Sequence, residues 1–345
     1  MVAIDVLKFE TNSPADTSPL EGLNAAGYEA SRILAVIGKT EGNGCVNDFS
    51  RTLAQTVWQP LIPKDAITIF SGGTEGVLSP HVTFIVRCKD DDDDASGLVG
   101  AVGHTRDLDP HEVGGHIHAR TVADTVANMI TGMNVSPKDV KLVLVKCPLL
   151  TSTKIETARA AGQSTICTDT YESMAKSRYA SAIGIAVALG EISTNDISAK
   201  LQTEDSWSAL ASCSSGAELD DNHIFVLAND PIAVKVKPRL KAISRPMKDA
   251  IDADAALDLL GQVKEQGGKV VQIFAKAEAN PKGLIRGRRI TMLTDSDIHS
   301  TRHARAAVGG LLCGLAGDTQ LYVSGGAEGQ GPPGGGSLTV VYSMP

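Results

Sequence analysis

The sequence predicts an α/β protein of three repeated units, each a sheet backed by helices, arranged with pseudo-threefold symmetry around one central site. Three β-rich runs end in lysine, at residues 33–39 (ILAVIGK), 141–146 (KLVLVK) and 269–276 (KVVQIFAK). Three later apolar runs lead into serine turns, at residues 71–76 (SGGTEG), 214–219 (SSGAEL) and 324–329 (SGGAEG). Because this order recurs three times, we expect three related domains that share one pocket.

The first unit is predicted to span residues 1–90. Its lysine strand is followed by a predicted helix at 46–59, the serine strand and a returning strand at 81–87 (HVTFIVR). Residues 89–94 (KDDDDD) predict a solvated linker, because five adjacent like charges repel one another.

The second and third units are predicted at residues 96–231 and 236–345, and both repeat the same order. Returning strands are expected at 222–227 and 338–342. Helical periodicity is found at residues 112–133, 171–190, 248–266 and 300–315.

Composition limits the possible partners and locations. The net charge of −8 argues against nucleic acid as the main partner, because phosphate binding needs a basic surface. No apolar stretch is long enough to predict a membrane span, and the N-terminus lacks a signal-peptide pattern. Six dispersed cysteines are typical of thiols in a reducing compartment, so we expect a cytoplasmic protein.

The repeated residues can act together on carbonyl groups. A serine at a Gly-rich turn lies beside free backbone N–H groups, which can hold an oxyanion. A lysine can activate that serine if burial or nearby cations lower the lysine pKa. Arginines supply such cations, and a Ser/Thr-Arg pair recurs at Arg51, Arg178 and Arg302. The set favours a small flat ring that bears several carbonyl oxygens.

Four segments carry a specific resemblance, at residues 38–48 (GKTEGNGCVND), 71–81 (SGGTEGVLSPH), 145–151 (VKCPLLT) and 324–332 (SGGAEGQGP). With them the whole chain resembles the cyanuric acid hydrolase/barbiturase family of ring-opening amidohydrolases. The resemblance implies a three-domain fold with pseudo-threefold symmetry, three Ser–Lys pairs around one pocket, and hydrolytic opening of a cyclic imide-like ring.

By position, the resemblance implies Ser214 as nucleophile and Lys146 as general base. Lys154 competes for the role of base, because residues 154–156 echo residues 39–41, but only Lys146 ends its strand. Backbone N–H groups near Ser214 and Ser215 would hold the oxyanion. The other two pairs, Lys39–Ser71 and Lys276–Ser324, would bind and polarise the remaining carbonyls.

Further substrate contacts are also implied. Arg51 and Arg178 match the family's substrate-binding arginines. In the third unit the internal repeat selects Arg302, while Arg305, one helical turn on, is an open alternative. The second turn has Ser215 where the others have Gly72 and Gly325, which are expected to contact substrate as well. We expect that, because of this difference between the turns, only one of the three Lys–Ser pairs is catalytic.

The resemblance implies a structural Mg²⁺ or similar divalent cation and no organic cofactor. Oxygen ligands suit such a hard cation. The matching positions are Glu278 and the backbone oxygens of Ala327, Gln330, Gly331, Pro332 and Gly335. Family members also lead us to expect a homotetramer.

Among the family's activities, the chain is most like cyanuric acid hydrolase, which opens the s-triazine ring to carboxybiuret, a precursor of biuret and CO₂. One alternative is a barbiturase, which converts barbituric acid to ureidomalonate. Another is a non-enzymatic protein that binds a small ring.

Three other signals are given less weight. The sequence Gly38-Lys39-Thr40 lacks the earlier glycine of a phosphate-binding loop. The histidines at positions 104, 111, 116 and 118 match no standard zinc spacing. Cys213 precedes Ser214, but the corresponding residues of the other repeats are apolar, so we expect a packed strand residue.

Overall fold

A computed structural model describes residues 2–88, 96–233 and 238–345. The predicted charged linker at residues 89–94 lies outside the described residues. The unit boundaries near residues 90 and 236 therefore stay predictions.

The first sheet contains strands with the order β1-β4-β2-β3. β2 and β3 are parallel, and the other neighbours are antiparallel. The strands are β1 (Ile4–Glu10), β2 (Ile33–Lys39), β3 (Ile67–Ser71) and β4 (His81–Arg87). Two helices accompany them, α1 (Pro19–Ala25) and α2 (Phe49–Trp58). Asp48 begins α2, because its carboxylate accepts a hydrogen bond from the Ser50 N–H.

The second sheet has the order β5-β8-β6-β7 with the same pattern of directions. Its strands are β5 (Leu98–His104), β6 (Val140–Pro148), β7 (Ala211–Gly216) and β8 (His223–Asn229). Its helices are α3 (His116–Gly132), α4 (Ser152–Ala160), α5 (Thr170–Ala188) and α6 (Ile197–Thr203).

The third sheet repeats the arrangement as β9-β14-β10-β13. A small hairpin of β11 and β12 lies apart from it. The strands are β9 (Leu240–Ser244), β10 (Lys269–Ala277), β11 (Leu284–Ile285), β12 (Arg288–Arg289), β13 (Tyr322–Gly325) and β14 (Leu338–Ser343). The helices are α7 (Ala253–Glu265) and α8 (Ser300–Ala316).

The three lysine strands also share a local irregularity. The register shifts at Leu34 in β2, at Lys141 in β6 and at Val271 in β10. Each shift lies five residues before the strand's lysine, and a bulge of this kind bends a strand and re-aims its side chains. The predicted α/β class, with three repeated sheets backed by helices, is confirmed.

The core has two layers. The inner faces of all three sheets meet in one central hydrophobic cluster, to which each sheet contributes buried residues such as Ile69, Leu144 and Tyr322. The outer face of each sheet packs against its own helices. This arrangement directs the ends of the parallel strands toward a common centre.

Several elements differ from the sequence-based predictions. The first strand of each sheet was not predicted, nor were α1, α4 and α6. The helix predicted at 112–133 begins only at His116, and one of its faces, which includes His118, is buried. Within the described ranges, no helix combines the length and apolar character needed to cross a membrane.

Candidate active site

Each sheet ends its parallel strand pair with a lysine beside a serine. The register places Lys39 opposite Ser71, Lys146 opposite Ser214 and Lys276 opposite Ser324. These residues lie within two residues of the carboxyl ends of their strands, where open α/β sheets bind ligands. The sequence pattern therefore corresponds to three neighbouring Lys–Ser pairs in the fold.

The three serines line one cavity. The predicted residues that share it are Ser71, Gly72, Ser214, Ser215, Ser324, Gly325, Arg51, Arg178 and Arg305. The lysines lie behind the serines and are buried, with exposures of 3%, 1% and 0% for Lys39, Lys146 and Lys276. The lining also includes four residues that the sequence analysis did not name, Gly44, Tyr171, Met174 and Thr301.

The buried lysines hydrogen-bond mainly to carbonyl oxygens. Lys146 Nζ donates to the carbonyl of Phe70 at 2.8 Å and lies 3.1 Å from a Glu218 carboxylate oxygen. Lys39 Nζ donates to the carbonyls of Thr40 and Gly73.

Lys276 differs because it contacts its own serine. Its Nζ lies 2.7 Å from the carbonyl oxygen of Cys213, 3.1 Å from Ser324 Oγ and 3.1 Å from the carbonyl oxygen of Gly325. Three acceptors match the three N–H groups of an ammonium. Lys276 is therefore held as a hydrogen-bond donor to Ser324.

Burial shifts the lysines toward the neutral form. It lowers the pKa of Lys146 to about 8, although the nearby Glu218 carboxylate raises that pKa. Burial, followed by the charge of Arg305, lowers the pKa of Lys39 to about 8. Burial, followed by the charge of Arg178, lowers the pKa of Lys276 to about 7. A lysine that is partly uncharged at physiological pH can act as a general base.

A buried tyrosine lies beneath the serines and was missed by the sequence analysis. Among the described residues, Ser214 Oγ and Tyr322 Oη are buried without a hydrogen-bond partner. Burial raises the pKa of Tyr322, while the hydroxyls of Ser214, Ser324 and Ser71 lower it, so all three lie near its hydroxyl. Tyr322 is two residues before Ser324 and shares its strand face, a position held by Ile69 and Ser212 in the other repeats. Comparing that position across the repeats could have revealed it.

The arginines are held by backbone and carboxylate groups. Arg51 donates to the carbonyl of Ser215 at 2.9 Å. Arg178 forms a bidentate pair with Glu328, with both N···O distances 2.7 Å. Such pairing fixes the plane of a guanidinium and thus its remaining donors.

The structure also decides between the two arginines of the third unit. Arg305 is 4% exposed and lines the cavity, whereas the Arg302 side chain is 27% exposed and does not. Both donate to Glu75, at 2.6 Å and 2.8 Å. Arg305 therefore lies at the cavity, whereas Arg302, the position that the internal repeat selects, does not line it.

The serine at position 215 has a steric explanation. A Cβ at Gly72 would lie 1.6 Å from Asp48 Oδ2, and a Cβ at Gly325 would lie 2.7 Å from Thr301 Cγ2. The second turn has room for a side chain, and Ser215 Oγ accepts a hydrogen bond from Arg178 at 3.3 Å. Glycine is thus needed in two of the three turns only.

The residues expected to hold a metal form a loop beside Arg178. Glu278, Ala327 and Gly331 line a second cavity together with Glu328. Burial and the Glu328 carboxylate raise the pKa of Glu278 to about 7. Two neighbouring, partly buried carboxylates among backbone carbonyls suit a hard divalent cation. The donor set fits the expected ion.

The other candidates lie elsewhere. Lys154, on α4, pairs with Asp220 at 2.7 Å and is absent from the cavity lining. The four histidines do not converge: His104 pairs with Asp221, whereas His118 is buried against Asn222. Cys213 is fully buried, and burial raises its pKa well above the ordinary value.

Comparison with known proteins agrees with this architecture. A family model described as "Amidohydrolase ring-opening protein" matches residues 5–343. A cyanuric acid amidohydrolase from a Sarocladium species is 61% identical over 99% of both chains. Another, from Pseudonocardia dioxanivorans, is 55% identical over 100% of this chain and 99% of its own.

Solved structures agree at the level of the whole fold. The crystal structure of a cyanuric acid hydrolase from A. caulinodans superposes with a TM-score of 0.91 at 40% identity, covering 100% of both chains. A second cyanuric acid hydrolase structure, described as an evolutionary innovation by structural concatenation, gives a TM-score of 0.92 at 40% identity over 100% of both chains.

Proposed function

Because the chain belongs to the ring-opening amidohydrolase family, we propose that it opens the s-triazine ring of cyanuric acid to carboxybiuret, which then yields biuret and CO₂. Family membership makes it a hydrolase of C–N bonds in cyclic amides. The observation that supports this substrate is the convergence of three serines and three buried arginines on one cavity. A ring with three equivalent carbonyls matches that arrangement.

Ser214 is the nucleophile in this proposal, and Lys146 is its general base. The Ser214 hydroxyl is buried and free of any hydrogen-bond partner in the described part of the chain. A neutral lysine has two N–H groups and one lone pair. For Lys146, the Phe70 carbonyl and the Glu218 carboxylate match the two N–H groups. The lone pair is then left for the serine proton.

Lys276 and Ser324 are the rival pair, since they are in direct contact and Lys276 has the lower pKa, about 7. However, the three oxygen acceptors around Lys276 favour a donating ammonium over a proton-accepting amine. We therefore assign Lys276–Ser324 and Lys39–Ser71 to binding and polarising the other two carbonyls. Arg51, Arg178 and Arg305 would hold the ring in place.

The reaction follows from these roles. Lys146 takes the proton from Ser214, and Ser214 Oγ forms a bond to one ring carbonyl carbon. Backbone N–H groups near Ser214 and Ser215 hold the resulting oxyanion, a contribution of about 10²–10³ in rate per donor. The ring C–N bond breaks as the Lys146 ammonium returns the proton to the leaving nitrogen. Water, deprotonated by Lys146, then attacks the acyl carbon. The bond between the acyl carbon and Ser214 Oγ breaks as the Lys146 ammonium returns the proton to Ser214.

A Mg²⁺ ion would be held by Glu278 and the backbone oxygens of Ala327, Gln330, Gly331, Pro332 and Gly335. When bound, it would supply positive charge that neutralises the partly buried carboxylates of Glu278 and Glu328 and stiffens the loop. Glu328 links this loop to Arg178. The ion's role is structural in this proposal, and the ring-opening steps depend on the chain's own residues.

Parallel assays of the purified protein on cyanuric and barbituric acids test the substrate. We expect ring opening of cyanuric acid with the higher kcat/KM. Preference for barbituric acid would establish the barbiturase alternative, and turnover of neither ring would refute the proposal.

Matched serine variants test the catalytic pair. Ser214→Ala should lose at least about 10³-fold in kcat while the variant still binds the ring by calorimetry. Ser71→Ala and Ser324→Ala should mainly raise KM. If Ser324→Ala removes turnover and Ser214→Ala does not, the rival pair is the catalytic one. A protein that binds the ring and has no turnover even in its parent form would be a small-ring binding protein.

A further inference from the structure

Each serine turn carries a glutamate four residues after its serine, and the three glutamates do not behave alike. They are Glu75, Glu218 and Glu328. Glu75 pairs with Arg305 of the third sheet's helix, and Glu328 pairs with Arg178 of the second sheet's helix. Each therefore neutralises a cavity arginine that belongs to another repeat.

The same rule would pair Glu218 with Arg51, the cavity arginine of the first repeat, and the structure departs from it. Glu218 instead lies 3.1 Å from Lys146 Nζ, and both side chains are buried. Arg51 donates to the carbonyls of Ser215 and Cys45, and its Nε is buried without a hydrogen-bond partner among the described residues. In the second repeat, the turn glutamate therefore pairs with a lysine of its own repeat and not with an arginine of another repeat.

The backbone of the turn accounts for this exchange. Gly73 and Gly326, two residues after Ser71 and Ser324, have φ angles of +123° and +77°. The equivalent Gly216 is the last residue of β7, in extended register with Pro148. Because β7 continues to this glycine, the chain leaves the sheet in a different direction.

The redirected carboxylate packs over that glycine. A Cβ at Gly216 would lie 2.2 Å from Glu218 Oε2. In the third turn, a Cβ at the equivalent Gly326 would instead meet the Arg178 guanidinium, 2.4 Å from its Cζ. In the first turn a Cβ at Gly73 would meet both groups, 2.3 Å from Glu75 Oε2 and 2.9 Å from Arg305 Cζ, so only in the second turn do the nearest atoms all belong to a glutamate.

From this geometry we infer that Glu218 is a positioning residue that selects Lys146–Ser214 as the reactive pair among the three. Glu218 accepts one N–H of Lys146 and so aims the remaining lone pair toward Ser214. It also stabilises the ammonium that forms when Lys146 takes the serine proton. The inference rests on the proposed function, in which Glu218 is one of two acceptors for the Lys146 N–H groups, and it gives this glutamate the further role of selecting the reactive pair.

Other charged and titratable groups near Lys146 determine the direction in which the loss of Glu218 would shift the Lys146 pKa. Arg51, from α2, disfavours the ammonium, whereas Glu218 favours it. Cys147, on the same strand, has its pKa raised by burial and stays a thiol. His223, the neighbour across the sheet, is hydrogen-bonded to the carbonyl of Thr68. Arg51 also pairs with the buried Asp48 at 3.7 Å. Removing Glu218 would take away the carboxylate that contacts Lys146 and leave the charge of Arg51 in place, so the pKa of Lys146 would fall.

Glu218→Gln tests the inference, because it keeps the shape and removes the charge. A neutral Lys146 is needed for activity, so kcat/KM rises with pH through the pKa of this lysine in the free enzyme. We expect the ascending limb of the kcat/KM–pH profile, the part that rises with pH, to move to lower pH by about 1 unit or more in Glu218→Gln. The plateau kcat should fall by about 10- to 100-fold, as expected for a weakened general base.

Glu75→Gln is the matched control from the first repeat. It removes the partner of Arg305, so it should raise KM and leave the ascending limb where it is. A limb that does not move in Glu218→Gln, or that moves equally in Glu75→Gln, would overturn the inference. Activity of the parent protein on cyanuric acid separates this failure from failure of the proposed function.

Two further measurements keep the test decisive. Titration of ¹⁵N-labelled lysine side chains by NMR, with Lys146→Met used for assignment, reports the Lys146 pKa without turnover, and Glu218→Gln should lower it. If Glu218→Gln does not fold, Glu218→Asp retains the charge farther from Nζ and should give a smaller shift in the same direction. A Lys146 resonance with an unchanged pKa in the folded variant contradicts the inference.

Discussion

Lys276 Nζ lies 2.7 Å from the carbonyl oxygen of Cys213, the residue that precedes Ser214 in a different sheet. Lys146 repeats this relationship with the carbonyl of Phe70, which precedes Ser71. Two lysines therefore hold the serine strands of neighbouring repeats. Lys39 departs from the pattern and bonds within its own repeat, to Thr40 and Gly73.

The first prediction concerns this link between repeats. Lys276→Met should lower kcat by on the order of 10²-fold, because small displacements of a nucleophile cost about that much. The loss should exceed what a binding role alone explains, since kcat as well as KM changes. Lys154→Met is the control, as Lys154 pairs with Asp220 away from the cavity. Steady-state kinetics that show only a KM effect for Lys276→Met would contradict the link.

The two arginines of α8 give a second prediction. Arg305→Lys should raise KM by about 10- to 100-fold, because a hydrogen bond to a charged group contributes about 1.5–3 kcal/mol. Arg302→Lys should change KM by less than about 5-fold, since Arg302 does not line the cavity and a lysine can keep the partly exposed ion pair with Glu75. Equal effects of the two substitutions on KM would mean that Arg305 contributes no more to substrate binding than Arg302 does.

A third prediction tests the packing of Arg178 over the last turn. Gly326 has a φ of +77°, and an added Cβ would lie 2.4 Å from Arg178 Cζ. Gly326→Ala should therefore lower the free energy of unfolding by about 1–3 kcal/mol and raise KM. Gly314→Ala, in α8 with open space around it, should instead raise that free energy by about 0.5–1 kcal/mol. Denaturant unfolding of both variants checks the contrast.

The buried lysines predict how stability depends on pH. Their folded pKa values, about 8 for Lys39 and Lys146 and about 7 for Lys276, lie below the ordinary lysine value. Above these values the unfolded chain binds more protons than the folded one, so stability should rise with pH. We expect Tm to increase from pH 7 to 8.5, and Lys39→Met to reduce the slope. A Tm that falls over this range would contradict the lysine burial.

The proposed metal loop gives a fifth prediction. Adding Mg²⁺ to chelator-treated protein should raise Tm, with a stabilisation of about 2.7 kcal/mol when the ion is at 100 times its Kd. Glu278→Gln should abolish this increase, whereas Glu10→Gln, an exposed carboxylate in β1, should leave it intact. A calorimetric titration in which both variants respond to Mg²⁺ alike would exclude Glu278 as a ligand.

Much of the architecture could be predicted because it depends on short, local patterns in the sequence. The lysine strands and serine turns were identifiable since apolar runs and Gly-rich turns depend on neighbouring residues. The first strand of each sheet was missed, as in residues 98–104, because an edge strand is specified by its pairing partner. The repeat also selected Arg302, since sequence alone does not fix which face α8 presents to the sheet.

The sequence by itself determined the repeated order of lysine, serine and turn glutamate, and with it the family and the three Lys–Ser pairs. Only the tertiary structure decided that Arg305 reaches the cavity, that Tyr322 lies beneath the serines and that Glu218 turns to Lys146. The physical reason is that these contacts join residues far apart in the chain. Their geometry depends on helix rotation and on the extended backbone at Gly216, neither of which a short motif specifies.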